Sequence, residues 1–154
     1  MSYLTTIYAV KSDSEYVSEA KKLFLMIVLV SFIIIFLLYL FSKFIISFLY
    51  GPEYYGAIKV FRVLLFYQFF WVIGFYFSRL IVKFNGYRFL AYKSFFVCVL
   101  NLCLAFLLIR KIGVLGAAYA ALIVEVFSAL VINLFYKKAS LLQVIFFYRK
   151  RDEA

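Results

Sequence analysis

Long uninterrupted apolar runs leave few folds open to this sequence. The first covers residues 23–41, where Ser31 is the only polar member. As an α-helix rising about 1.5 Å per residue, this run would span roughly 30 Å, the thickness of the hydrocarbon core of a bilayer. Strands of a membrane barrel alternate apolar and polar residues, and this run does not alternate. The run therefore predicts a transmembrane helix.

Three further apolar runs follow at residues 55–84, 89–109 and 112–136. The breaks between runs carry turn residues or charges, namely Gly51-Pro52, Asn85-Gly86 and Arg110-Lys111. Because the last break is very short, the third and fourth helices are predicted to form an antiparallel hairpin. Two apolar stretches, 44–50 and 141–148, are too short to span and are predicted to lie at the membrane interface.

Composition excludes a water-soluble domain. The 154 residues are 68% hydrophobic and only 16% charged, whereas an ordinary soluble domain is closer to half apolar and a quarter charged. A cleavable signal peptide is not expected in residues 1–22, since they are rich in polar groups. We therefore predict an all-α, polytopic membrane protein with four transmembrane helices at residues 23–138.

The basic charge follows the topology of a membrane protein. The net charge is +10, and the basic residues lie in the gaps between apolar runs, so nucleic-acid binding is not expected. Eleven Lys and Arg residues lie on the side of the termini, and five lie on the opposite side, Lys43, Lys59, Arg62, Arg110 and Lys111. The positive-inside rule then predicts that both termini are cytoplasmic, with residues 1–22 as a cytoplasmic segment and 139–154 as a basic interfacial or cytoplasmic tail.

No constellation of catalytic residues is present in the sequence. The chain has no histidine and no paired carboxylates placed for acid–base chemistry, so we predict neither an enzyme, a metal site nor a cofactor. Cys98 and Cys103 lie five apart inside an apolar run, off a shared helix face, and are predicted to be packing residues.

Glu125 is the most informative polar residue, because it lies in the middle of an apolar run. Small residues precede it, among them Gly113, Gly116, Ala117 and Ala121, which allow another helix to approach closely. At about 100° per residue, Ala117, Ala121 and Glu125 point in similar directions, so Glu125 is predicted to face protein or a cavity. It is a candidate for proton or cation coupling, for substrate contact, or for fixing the register of the helix.

Three of the other polar residues within the runs are further candidates. Arg79 is a candidate for the substrate or ion pathway, and its alternative role is to extend to the cytoplasmic headgroups. Asn101 and Gln68 are amides in the middle of helices, and they are candidates for the same pathway or for hydrogen bonds between helices.

Two segments of the sequence resemble a known family. Residues 43–65, with Gly51-Pro-Glu-Tyr-Tyr-Gly-Ala57 at the centre, and residues 101–125, with Gly113-Val-Leu-Gly-Ala-Ala118, are similar to segments of bacterial polysaccharide flippases related to the multidrug exporters. Residues 5–22 resemble a cytoplasmic loop of that family more weakly. Arg110 replaces a proline that is common in the family's pattern.

The resemblance implies a C-terminal portion of a flippase for O-antigen or teichoic-acid precursors in the bacterial inner membrane. Such a protein moves undecaprenyl-pyrophosphate-linked oligosaccharide across the membrane, and four helices would supply only part of one of its two lobes. The expected partners are membrane lipid, the lipid-linked oligosaccharide, and either the remaining helices of a flippase or further copies of the chain. The alternative is a stand-alone four-helix membrane protein, either an assembly factor or a small oligomeric transporter.

Overall fold

The computed structural model describes residues 13–83 and 85–131, and every element in these ranges is helical, as predicted. The helices are α1 (Asp13–Leu40), α2 (Ser42–Tyr50), α3 (Ala57–Lys83), α4 (Tyr87–Ile112) and α5 (Val114–Val126). A 3-10 turn at Pro52–Tyr54 precedes α3, and a π-helical turn at Phe127–Val131 extends α5. The predicted interfacial stretch 141–148, the basic tail and residues 1–12 lie outside the described ranges.

Three of these helices are long and apolar enough to cross a bilayer, which indicates a membrane protein. Their candidate spans are Lys21–Leu40, Ala57–Arg79 and Tyr87–Ile112, with 20, 23 and 26 residues. The fourth predicted span is represented by a shorter apolar helix, Val114–Leu130. The rest of that predicted run, 132–136, lies outside the described residues, so the four-span topology and the position of the termini stay predictions.

Aromatic contacts pack α1 against α3 in antiparallel orientation. Near the start of α1, the Phe24 ring lies 5.1 Å from the ring of Tyr76, near the end of α3. At the other end of the pair, the ring of Tyr39 lies 6.1 Å from that of Phe66. Residues later in α1 therefore meet residues earlier in α3.

The hairpin predicted from the short third connection is present. A single residue, Gly113, joins α4 to α5, with φ of 62° and ψ of −144°. A side chain on Cβ would clash with the backbone at this positive φ, so glycine is required here. The Gly113 N–H donates to the carbonyl of Ile109, closing α4, and its own carbonyl accepts from Gly116 at 2.9 Å.

Helix α5 is the central helix of the described bundle, because it packs against both α3 and α4. Gly116 lies against the backbone of Leu108 in α4, while Glu125 and Ala129 lie against Gly74 in α3. Gly116 and Glu125 are nine residues apart, which at about 100° per residue places them on opposite sides of α5. The small residues of α5 therefore serve two packing faces, and the direction predicted for Ala117, Ala121 and Glu125 did not include Gly116.

The outer surface of the bundle is strongly apolar. Phe24 is the only buried residue among 21–40 of α1, and none of the residues of α4 is buried. Phe95 on α4 is 72% exposed. Since a soluble protein rarely exposes such large apolar patches, this surface suits contact with lipid or with further helices.

Helix α2 has one protected side and one apolar exposed side. Ser42 and Ile46 are buried, whereas Phe44 and Phe48 are exposed and their rings stack 5.8 Å apart. Helix α2 ends at Tyr50, and Gly51 and Pro52 follow it directly, as the sequence predicted. The arrangement suits an interfacial helix that presents its apolar side to the bilayer.

Candidate functional site

The carboxylate of Glu125 lies in the interface between α5 and α3. A methyl group built on Gly74 of α3 would be 3.0 Å from Oε1 of Glu125 and 3.5 Å from Cβ of Ala129. Glu125 is half-buried, and its near neighbours Val124 and Ser128 are buried. The carboxylate thus occupies space that a larger residue at position 74 would fill.

The space for the Glu125 carboxylate lies beside Gly74 of α3. Gly74 is buried, and the hydroxyl of Ser78 donates a 2.8 Å hydrogen bond back to its carbonyl. A serine that bonds to the carbonyl one turn earlier satisfies its own hydroxyl inside an apolar helix. The serine therefore completes its hydrogen bonding within α3, and the Cα of Gly74 meets the Glu125 side chain.

Two titratable side chains from other helices share the electrostatic environment of Glu125. Lys93 of α4 and Tyr67 of α3 are both within electrostatic range of its carboxylate. All three side chains are half-buried. An amine of α4 and a phenol of α3 therefore lie within electrostatic range of a carboxylate of α5, in a bundle that is largely apolar. We name Tyr67, Lys93 and Glu125 the polar cluster.

The backbone of α5 changes geometry just after Glu125. Residues Phe127–Val131 form a π-helical turn, with hydrogen bonds that reach one residue further than in an α-helix. Single π turns inside α-helices occur often at functional sites. In this turn Ser128 and Ala129 are buried, so the wider turn packs tightly.

No protein-family model, no curated protein and no solved structure matches this chain. The polar cluster is therefore interpreted from its own geometry and chemistry. An acid and a base held in an apolar surrounding can exchange or share a proton, bind a cation at the carboxylate, or contact polar groups of a passing ligand.

Arg79 and Gln68 do not join the polar cluster. Both are exposed on the outer side of α3, together with Trp71 and Phe75. The Arg79 guanidinium lies 4.7 Å above the ring of Phe75, one turn closer to the middle of the helix, and Phe75 stacks on Trp71 at 5.3 Å. The guanidinium is thus turned towards the middle of α3, and the choice between the pathway role and the headgroup role of Arg79 stays a prediction.

The remaining predicted residues lie on α4 and α5. Asn101 is half-buried in the middle of α4, and Ala117 and Ala121 are half-buried in α5. Gly116 is buried, and Gly113 forms the exposed turn. The structure gives their positions, and their roles stay predictions.

Sequence reasoning did not identify Gly74, Tyr67 and Lys93 as neighbours of Glu125. Gly74 is the only glycine within α3, and an isolated glycine in a helix often marks a close approach of another chain segment. This signal could have indicated a packing position on α3. No comparable signal in the sequence indicates which residue would lie opposite Gly74.

Replacing Gly74 with alanine is expected to displace the Glu125 carboxylate with little change in overall stability. Alanine favours the helix by about 1 kcal/mol over glycine, which offsets part of the crowding against Oε1. We expect Glu125 to react severalfold faster with a hydrophobic carbodiimide in the variant, as measured by mass spectrometry. Gly56→Ala, where a new methyl meets no atom within 4 Å, is the control. Equal labelling of the unsubstituted chain, Gly74→Ala and Gly56→Ala would contradict the proposed position of the Glu125 carboxylate.

Proposed function

We propose that this chain forms a membrane-embedded part of a flippase for lipid-linked oligosaccharide, with the polar cluster as a coupling or substrate-contact centre. The observation that carries the proposal is the half-buried carboxylate of Glu125, which packs against Gly74 of α3 and has Lys93 of α4 within electrostatic range, in a largely apolar bundle. Charged side chains inside a membrane are costly, so they are retained mostly where they bind, transfer or couple charge. A structural anchor would need only apolar contacts.

The position of the polar cluster supports coupling to a conformational change. It includes side chains of α3, α4 and α5, so a change of charge at Glu125 alters the attraction between these helices. Many secondary transporters place such sites between their moving bundles, near the middle of the membrane. A proton or a cation bound at Glu125 would weaken its attraction for Lys93 and thereby bias the packing of α5.

The outer side of α3 supports the proposal that further helices surround this bundle. Gln68 and Arg79 are exposed there, and lipid would be an unfavourable surrounding for both. Additional helices of a flippase, or a polar cavity between its lobes, would supply a more suitable surrounding. The same feature fits the resemblance, in which four helices are only part of one lobe.

A chimera tests the proposed function. Residues 1–154 replace the matching last four helices of a working O-antigen flippase, and surface polysaccharide is scored in cells that lack the native flippase. Restored polysaccharide would support the proposal. A chimera that is well expressed and correctly inserted, but yields no polysaccharide, would contradict it.

The alternative of a stand-alone small membrane protein is favoured by one observation. Within the described chain, Glu125 already packs against Gly74 and lies within electrostatic range of Lys93 and Tyr67, so the bundle has its own polar centre. This alternative predicts that the isolated chain assembles into an oligomer of defined size in mild detergent. Mass measurement of the purified chain distinguishes it from a segment that needs the rest of a flippase.

A further inference from the structure

A second polar centre lies at the other end of α3, where α1, α2 and α3 meet. The Nε–H of Arg62 donates a 2.9 Å hydrogen bond to the hydroxyl oxygen of Ser42. The same guanidinium lies 4.6 Å above the ring of Tyr39. Arg62 is therefore held by one residue from the end of α1 and one from the start of α2.

The residues that hold Arg62 are themselves firmly placed. Ser42 is 0% exposed, so its hydroxyl is fixed within the junction of the helices. The ring of Tyr39 also packs against that of Phe66 in a T-shaped arrangement, at 6.1 Å between ring centroids. An arginine fixed through Nε and through one face of its guanidinium loses less side-chain entropy when it binds a ligand.

Among the described residues, the terminal amino groups of Arg62 have no hydrogen-bond partner. In the part of the chain that the structure describes, Ser42 is the only hydrogen-bond partner of Arg62, and the bond uses Nε alone. Lys59 lies three residues earlier on the same side of α3 and is exposed. Two cationic groups, one of them pre-oriented, therefore occur together near the start of α3.

We propose that Arg62 and Lys59 bind the phosphate of an anionic phospholipid. The two terminal amino groups of a guanidinium match two phosphate oxygens, and the nearby ammonium adds attraction for a net negative headgroup. A lipid rather than a free phosphate is indicated by the surroundings, because Phe44 and Phe48 expose apolar rings on the adjacent helix α2. The inference does not depend on the proposed flippase function.

Arg110 provides a natural comparison within the same chain. It is exposed at the end of α4, and its guanidinium lies 3.9 Å above the ring of Phe106. It has the aromatic contact of Arg62 but, among the described residues, no hydroxyl group that fixes it. If lipid binding reflected a general attraction to any arginine, replacing Arg62 or Arg110 would weaken it equally. If lipid binds at the proposed site, only the replacement of Arg62 weakens it.

Native mass spectrometry of the purified full chain in detergent tests the proposal. Phosphatidylglycerol is titrated, with phosphatidylcholine and inorganic phosphate in parallel arms. We expect the chain to bind phosphatidylglycerol more strongly than phosphatidylcholine. We also expect that millimolar inorganic phosphate does not displace the bound phosphatidylglycerol. Equal binding of both lipids, or displacement by inorganic phosphate alone, would overturn the proposal.

Variants locate the bound lipid. Arg62→Gln is expected to weaken phosphatidylglycerol binding about tenfold, the size expected for loss of a charge-assisted hydrogen-bonded contact. Lys59→Gln is expected to weaken it severalfold, and it leaves the bond between Arg62 and Ser42 in place, so it serves as the test if Arg62→Gln does not fold. Arg110→Gln is the matched control. Unchanged binding in the Lys59 and Arg62 variants, or an equal loss in Arg110→Gln, would refute the site.

Discussion

Replacing Gly116 with alanine is expected to open the hairpin of α4 and α5 and to lower the free energy of unfolding by about 3 kcal/mol. A methyl group at this position would overlap the carbonyl group of Leu108 and would lie 2.8 Å from the backbone nitrogen of Ile109. Backbone atoms cannot rotate away as the end of a side chain can. The two helices would therefore have to separate, and α5 would lose contacts on the side that faces α4.

Unfolding in detergent with increasing dodecyl sulfate, followed by circular dichroism, measures this change. Gly56→Ala is the control, because a methyl group there meets no atom within 4 Å and the residue is exposed. We expect the control to remain within about 0.5 kcal/mol of the unsubstituted chain. If Gly116→Ala and Gly56→Ala have the same free energy of unfolding, α4 and α5 do not approach as closely at Leu108 as described.

Replacing Glu125 with glutamine is expected to reduce transport by the chimeric flippase at least tenfold. The substitution keeps the size and shape of the side chain but removes its charge and its capacity to bind a proton. Under the proposed function, that charge couples α5 to Lys93 of α4, and a loss of about 1.4 kcal/mol in a transport barrier corresponds to a tenfold change in rate. Surface polysaccharide at matched expression measures the effect.

Two comparisons separate a role in transport from a role in folding. Glu53→Gln alters the only other acidic side chain among the described residues 21–83 and 85–131, and it lies exposed outside the spans, so transport should be unchanged. Glu125→Gln with Lys93→Gln removes both charges, and it should recover stability lost in the single variant while transport remains low. Recovery of transport in the double variant would assign the pair to packing alone.

The fold class followed from the lengths of the apolar runs, because each helix satisfies its own backbone hydrogen bonds in lipid. The turns were also predicted from the sequence. Asn85 adopts a φ of 59°, and the N–H of Gly86 bonds to the carbonyl of Ile81, a common way to end a helix. The predicted helix ends were less accurate. Helix α4 begins at Tyr87 rather than at residue 89, and α1 extends back to Asp13.

The sequence also predicted that Glu125 would face protein, because small residues surround it on α5. It did not predict that Arg79 and Gln68 would lie away from Glu125, on the exposed side of α3. The periodicity of a helix relates residues to the axis of that helix only. It carries no information on which neighbouring helix covers each side, and that assignment depends on the packing of all the helices together.

Only the tertiary structure brings Gly74, Lys93 and Glu125 together. These residues lie on three helices and are separated by up to 51 positions in the sequence. Gly74 packs against Glu125, and Lys93 lies within electrostatic range of it, because α5 packs against both α3 and α4, although α3 and α4 are the consecutive pair. The sequence by itself determined the helices, their turns and their apolar surroundings, since these depend on local hydrogen bonding and on transfer to lipid. The structure decided which polar groups share one site, since that depends on shape complementarity between distant segments, with Gly74 providing the space for Glu125 and Gly116 the close approach to Leu108.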